Sequence, residues 1–324
     1  MTTYILRRLI QTILVTVILS YVCFDLMNRM PGDRVSDMIA ANPRMTPEDA
    51  ARLRTLYNLD QPVYKRYLLW AGDIVRGDFG YSQTYRIPVR EILGPKLKNT
   101  VVLSLAALLF SLLVSIPLGV FSALRPGTKI DYVVNMVSFG GISIPSFWLG
   151  IVLILIFSVW LPVLPAGGTQ TIGTENTLGF WADLLDRSKY LILPVLSLSL
   201  QQIGRFARFT RSAMLESMRN DFIRTAKAKG MSRQVVIWRH AFRNALIPLI
   251  TVLALSISSV FSGAIITETV FAYQGVGKLT YDSIIGNDYN VAMISFIISI
   301  AMVLIMNLVA DILYGVADPR ISYS

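Results

Sequence analysis

Histidine, cysteine and charge are all scarce in this sequence, and each scarcity removes a class of function. Cys23 is the only cysteine, so no intrachain disulfide can form. His240 is the only histidine, and a zinc site of the usual His/Cys type needs more ligands than these two residues supply. A Ser-His-Asp hydrolase would need His240 beside a nucleophile, and no GxSxG elbow occurs. No GxxxxGK[ST] phosphate loop occurs either. The nearest fragment, Gly275-Val276-Gly277-Lys278, lacks both the spacing and the Ser/Thr, so the chain is not expected to bind ATP itself. Charged residues make up 15% of the 324, against about 25% in a typical soluble domain.

Apolar residues take the vacated share. They form 54% of the chain, and the mean hydropathy is +0.56. A soluble fold of this size would need more polar surface. The net charge of +10 could indicate nucleic-acid binding. A membrane protein whose Lys and Arg crowd one side gives the same balance, and the long apolar runs, which leave no room for a soluble basic domain, favour that reading.

A transmembrane helix needs about 20 mostly apolar residues. Five runs reach or approach that length: 9–24, 101–122, 137–161, 245–267 and 289–310. A sixth, 190–204, reaches it only by continuing through Phe206 and Phe209, with arginines snorkelling at its inner end. The first run follows Arg7-Arg8 as a signal peptide would, but no small-residue cleavage site comes after it, so it reads as a retained span.

Charge orients these spans. Segment 205–243 carries ten Lys/Arg and two acids, Glu216 and Asp221. With six crossings it shares a side with Arg7, Arg8, Arg125 and Lys129, and the positive-inside rule makes that side the cytoplasm. A seventh span inside the uncharged stretch 132–174 would put the ten cations outside. The expected class is therefore an all-α polytopic membrane protein with six transmembrane helices. Both termini are expected in the cytoplasm of a bacterial-type cell, below its cytoplasmic (inner) membrane.

The expected divisions are a first span at 1–30, an extracytoplasmic helical loop at 31–99, a core at 100–318 and a cytoplasmic tail at 319–324. The loop holds eleven Lys/Arg and eight acids, but loops beyond about 60 residues largely escape the charge rule. Within it, Thr46-Pro47-Glu48-Asp49 starts a helix, with Thr46 as N-cap, Pro47 first and acids in the first turn. Ala50, Leu53, Leu56 and Tyr57 mark its apolar face. Pro62 opens a second amphipathic helix, which Gly77-Asp78-Phe79-Gly80 ends. The stretch 167–176 is polar and rich in Gly and Thr, as an outer loop would be.

Within the cytoplasmic loop 205–246, residues 211–229 can form a helix with Met214, Leu215, Met218 and Phe222 on one side. Gly230 stops it by supplying a left-handed residue, and Ser232 caps a second helix through Val235, Val236 and Trp238. This surface helix-turn-helix can dock into a partner and transmit its movement, or grip anionic headgroups. Periodicity leaves the two readings even.

The residues themselves add a resemblance. Ile223-Arg224-Thr225-Ala226-Lys227-Ala228-Lys229-Gly230, followed by Trp238-Arg239-His240-Ala241-Phe242-Arg243-Asn244, resembles the EAA loop of binding-protein-dependent ABC importer permeases, in its peptide/nickel form. Ala226 and Gly230 fit the general pattern. Arg224 and Thr225 stand in place of its Glu and Ala, and His240, Phe242 and Arg243 in place of its Ile, Leu and Pro. Pro31-Gly32-Asp33, Leu59-Asp60-Gln61-Pro62, Gly77-Asp78-Phe79-Gly80-Tyr81-Ser82, Asn99-Thr100, Glu268-Thr269-Val270-Phe271, Gly275-Val276-Gly277, Asp288-Tyr289 and Asp318-Pro319-Arg320 resemble the same group in the same order. Gln274 takes a place where the group often has proline.

The resemblance implies a type I ABC importer permease, the first of two paired permease subunits. It implies two ATP-binding cassette subunits that carry the ATP and Mg, an extracytoplasmic substrate-binding protein and a peptide substrate. No cofactor is implied for this chain. Arg224, Thr225, Ala226, Lys227, Ala228, Lys229, Gly230, Met231 and Ser232 would form the ATPase-coupling element, its small residues allowing close approach. Lys227 and Lys229 could pair with acids of the ATPase, or simply be solvated.

Polar residues in or near the spans, Asn135, Gln201, Gln202, Glu268 and Asn307, are candidates for the translocation path or a subunit interface; Glu268 could instead be a structural anchor. Gly140-Gly141, Ser143 and Pro145 suggest a bent, closely packed helix. Nickel or another small solute is the alternative cargo. An ion-coupled secondary transporter is the alternative class, but it would want matching halves, and no repeat is visible.

Overall fold

The computed structural model describes residues 2–29, 45–56, 58–174 and 177–317, and no strand occurs among them. Tyr57, Asn176, the Pro31-Gly32-Asp33 and Asp318-Pro319-Arg320 motifs and the tail 319–324 lie outside the described residues.

Helix α1 (Thr2–Asn28) runs through the first apolar stretch. Helices α2 (Pro47–Leu56) and α3 (Val63–Val75) follow in the expected loop. Thr46 caps α2 reciprocally with Asp49: the Asp49 N–H donates to Thr46 Oγ1 at 3.2 Å and the Thr46 N–H donates back to the Asp49 carboxylate at 3.2 Å. Helix α3 starts after Pro62 and stops at Gly77, which takes the left-handed conformation at φ +83°.

Helix α4 (Val89–Leu124) has 36 residues and α7 (Phe180–Arg219) has 40. At 1.5 Å per residue each is longer than the roughly 30 Å of a hydrocarbon core. They lie against each other through small residues. A Cβ on Gly119 of α4 would stand 2.6 Å from the Ala207 carbonyl oxygen of α7. Helix α5 (Lys129–Ser143) crosses α7 by the same device, since a Cβ on Gly204 would meet the Ser138 carbonyl.

The third apolar run is not one rod. Helix α5 ends at Ser143, and α6 (Ser146–Ile154) continues through a π-helical turn, Leu155–Trp160, at 99° to it. Pro145 has no N–H to donate, and Ile144 before it is extended, at ψ 122°. The freed carbonyls find partners on α7: Gln201 Nε2 donates to the Ile144 carbonyl at 2.8 Å, and Ser197 Oγ donates to that of Ser146 at 2.7 Å.

The chain then turns through α8 (Asp221–Ala228) and the one-turn α9 (Arg233–Val235). A π-helical segment, Val236–Phe242, leads into α10 (Arg243–Val270). Helices α11 (Val276–Ile285) and α12 (Tyr289–Ala317) complete the described chain.

Among the described residues, Leu6–Asn28, Val89–Leu124 and Tyr289–Ile312 are long and apolar enough to cross a membrane, and the bent α5–α6 pair would make a fourth span. Their apolar faces are open in the isolated chain: Ile10, Leu14, Leu109 and Leu113 are each more than half exposed. Rows of large apolar side chains left open along helices of this length suit a lipid surround better than water.

Buried side chains gather at three levels. Val89, Ile92, Leu93, Leu279, Val291 and Ile294 join α4, α11 and α12 at one end, with Trp70 and Ile74 of α3 laid over them. Leu103, Leu193, Leu198 and Phe271 fill the middle. Val120, Met214, Ile223, Ala226, Val236 and Ile237 close the other end. Helix α3 is also pinned to α1, where Ser20 Oγ and Tyr67 Oη share a 2.8 Å hydrogen bond.

Candidate coupling site

The expected helix at 211–229 is divided. Helix α7 runs on to Arg219, and Asn220 leaves it in an extended conformation, at ψ 153°. Helix α8 restarts at Asp221. It ends in a Schellman motif, with the Met231 N–H on the Ala226 carbonyl at 3.3 Å and the Gly230 N–H on that of Lys227 at 3.0 Å. Gly230 sits at φ +72°, the left-handed residue expected there. Ser232 starts the next helical segment through its backbone, but its side chain makes no capping bond, so its expected capping role is not realised.

Burial sorts the nine expected coupling residues. Ala226 turns inward, 4% exposed, together with Ile223 just before the element at 1%, against Met214, Val236 and Ala241. The Ala226 side chain thus faces this chain's own core; its small size serves the packing of α8. Arg224, Thr225 and Ala228 lie on the outward face with Asp221. Lys229, Gly230, Met231 and Ser232 form the exposed turn. Lys227 follows Ala226 around the helix, and its side chain lines a hollow between α8, α7 and the end of α4. The π-helical segment is tied back to α7, where Ser217 Oγ donates to the Ala241 carbonyl at 2.9 Å.

A residue that sequence reasoning missed organises this end of the molecule. Asp131, in the first turn of α5, is 5% exposed. Arg211 of α7 grips it with both prongs, Nε to Oδ1 at 2.6 Å and Nη2 to Oδ2 at 2.8 Å. Ser122 Oγ of α4, the Gly127 N–H (2.9 Å) and Asn135 Nδ2 (2.9 Å) also donate to it. One carboxylate thereby joins α4, the 124–129 turn, α5 and α7. Its signal was available: Asp131 is the only acid between Glu91 and Glu175.

The five path candidates do not converge. Asn135 bonds back to the Asp131 carbonyl and carboxylate, supporting that network. Gln201 serves the α5–α6 break. Gln202 is 4% exposed, and its Oε1 is buried without a hydrogen-bond partner. Asn307 is exposed on α12. Glu268 is fully buried at the far end of α10; Thr100 Oγ1 donates to it at 2.6 Å and the Lys278 N–H at 3.0 Å. Thr100 Oγ1 also accepts the Val276 N–H at 2.8 Å. Glu268 and Thr100 therefore cap the first turn of α11 from two other helices, which is the anchoring role.

A bundle of long apolar helices, closed at one end by a basic segment packed on its core, is the architecture of a polytopic membrane protein. The solved structure described as "Inward facing conformations of the MetNI methionine ABC transporter: CY5 native crystal form" resembles it with a TM-score of 0.57 at 17% identity, over 71% of this chain and 97% of that one. The chain belongs to the binding-protein-dependent transport system inner membrane component family, which matches residues 115–323, while the N-terminal component of the same system matches 1–104. It is 40% identical to the oligopeptide transport system permease protein AppB of Bacillus subtilis (strain 168), over 100% of both chains. It is 38% identical to the di/tripeptide transport system permease protein DppB of Pseudomonas aeruginosa (strain UCBPP-PA14), over 100% of this chain and 99% of that one. It is 35% identical to the dipeptide transport system permease protein DppB of Escherichia coli (strain K12), over 99% and 98%.

Proposed function

We propose that this chain is the first of two paired permease subunits of an ATP-driven importer of di- and oligopeptides. The relatives with peptide permease names span its full length, which supports peptide as the cargo. The chain crosses the bacterial cytoplasmic membrane six times. Helices α1, α4, the α5–α6 pair, α7, α10 and α12 make the crossings, and both termini are cytoplasmic. An extracytoplasmic binding protein delivers peptide to the outer end, where α3 and α11 lie. Two ATP-binding cassette subunits hold ATP and Mg and dock on the outward face of α8.

The observation that carries this reading is the fixed attachment of α8 to the spans. Ile223 and Ala226 bury α8 in the core beneath α4 and α7. Asp131 and Arg211 lock α5 to α7 beside it. A displacement of α8 by a partner's nucleotide cycle is therefore passed to three spans as a rigid-body movement, because packed cores shift between discrete arrangements rather than deforming continuously. No covalent chemistry takes place in this chain; its work is to exchange access between the two sides.

Reconstitution with the second permease, the two ATPase subunits and the binding protein tests this. Peptide uptake that stops on ATP depletion and survives an uncoupler is the expected result. Uptake that persists without any ATPase subunit overturns it.

A further inference from the structure

The hollow beside Lys227 has a volume of about 840 Å³. Arg211 and Arg219 of α7, Lys227 of α8 and Arg233 of α9 line one part of it, and no acid lines it. Asp131 neutralises Arg211. None of the ion pairs among the described residues involves Arg219, Lys227 or Arg233. Three cations thus converge on one concavity without a counter-charge, an arrangement that attracts an anion. The rest of the wall is apolar, built from Leu124, Leu215, Met218 and Met231.

Two features narrow the anion. The hollow lies on the flank of α8 that turns toward α4 and α7, and Asp221, Arg224, Thr225 and Ala228, none of which lines it, are exposed on the adjoining outward face. A protein that docks on the outward face leaves the hollow between α8 and the bundle. The hollow also adjoins Ala123 and Leu124, the last residues of α4, directly below the apolar run 101–122. With 205–243 facing the cytosol, that is the depth of the inner-leaflet headgroups. A ligand suited to both walls has a phosphate for the cations and a glycerol and acyl portion for the apolar side.

We propose that this hollow binds the phosphate headgroup of an anionic phospholipid of the inner leaflet. The lipid bridges α8 to α4 and α7, so that the coupling segment is held against the spans by lipid as well as by side chains. The inference rests on the cytosolic placement of 205–243. It does not depend on which solute is carried.

The test uses the assembled transporter in phosphatidylcholine nanodiscs, with phosphatidylglycerol titrated in. Lipid retained by the complex is counted by native mass spectrometry, and the thermal midpoint is followed in parallel. Wild type is expected to retain phosphatidylglycerol selectively and to gain thermal stability from it. The triple variant Arg219→Gln, Lys227→Gln, Arg233→Gln is expected to bind it about a hundredfold more weakly, at roughly fivefold for each cation removed. If the triple variant does not assemble, Arg219→Gln and Arg233→Gln alone are each expected to lose about fivefold. The charge-keeping pair Arg219→Lys, Arg233→Lys should retain the lipid.

Unchanged retention in the Gln variants overturns the proposal. So does equal stabilisation of wild type by 10 mM inorganic phosphate in lipid-free detergent (~10 mM being ample for a multi-cation site), which would identify a free anion. Loss of the ATPase subunits with lipid retention intact also overturns it, and assigns the cations to protein acids. Selective lipid retention by a complex that fails to import peptide would instead count against the transport reading alone.

Discussion

Arg211 holds Asp131 in a two-pronged ion pair across 80 residues of sequence, and the carboxylate is 7% exposed at its side chain while the guanidinium is 27% exposed. Among the described residues it is the only ion pair that joins two different helices through a buried acid. Removing Arg211 leaves the Asp131 carboxylate buried and unpaired, which costs about 3 kcal/mol, and removing Asp131 leaves a partly exposed guanidinium, which costs less. Asp131→Ala should lower the thermal midpoint of the purified permease and raise ATP hydrolysis per peptide imported. Arg211→Lys keeps the charge but loses the fork, so it should fall between wild type and Asp131→Ala. Wild-type stability together with wild-type coupling in Asp131→Ala would remove the strut from the mechanism.

Gly230 separates a backbone effect from a docking effect. Its φ of +72° disfavours any side chain, yet among the described residues nothing lies within 4 Å of where a Cβ would stand. Gly230→Asn tolerates the left-handed conformation and should import normally. Gly230→Ala should cost about 1 kcal/mol of stability and keep most uptake. Gly230→Trp projects bulk into the space a docked ATPase would occupy, so hydrolysis should continue while uptake fails, with membrane insertion unchanged. Normal uptake by the Trp variant counts against docking at this turn.

The Thr100–Glu268 clamp predicts a stability phenotype at the other end of the bundle. Thr100→Val deprives the Val276 N–H of its acceptor and Glu268 of a donor. Leaving such buried groups unmade costs about 1–3 kcal/mol each. Gly275→Ala acts on the same clamp from the other side, because its Cβ would collide with the Glu268 carboxylate. Both variants should lower the thermal midpoint and speed amide hydrogen exchange in 276–285. Unaltered exchange in that helix would refute the capping role.

The single cysteine makes the topology directly measurable. Cys23 is 8% exposed, and Cys23→Ala removes it. In that background a cysteine replacing Ser232 should react with a membrane-impermeant maleimide in inside-out vesicles and stay unlabelled in intact cells. One replacing Tyr81 should show the reverse. Labelling of the Ser232 position from outside would invert the whole assignment.

Several features were legible before any coordinates because they are local. The Thr46 cap, the Pro62 start and the Gly77 and Gly230 stops each depend on one or two residues and their own backbone. The break in the third apolar run was signalled by Pro145, but not its 99° angle. The helix expected at 211–229 was misread at Asn220, because Leu215, Met218 and Phe222 continue the apolar period across the break.

By itself the sequence determined the membrane class, the basic segment and the position of the Gly230 turn. Apolar length, charge count and a left-handed glycine are sums or single-residue properties, and folding does not alter them. Only the tertiary structure decided that Ala226 faces inward, that Lys227 faces a hollow, that Glu268 caps a distant helix and that Asp131 meets Arg211. Those outcomes depend on how far each helix is rotated and slid against its neighbours. That register is set by close contacts such as Gly119 on Ala207 and Gly204 on Ser138, between residues far apart in the chain. A hydrophobic period shows which residues share a face, and packing alone selects what that face meets.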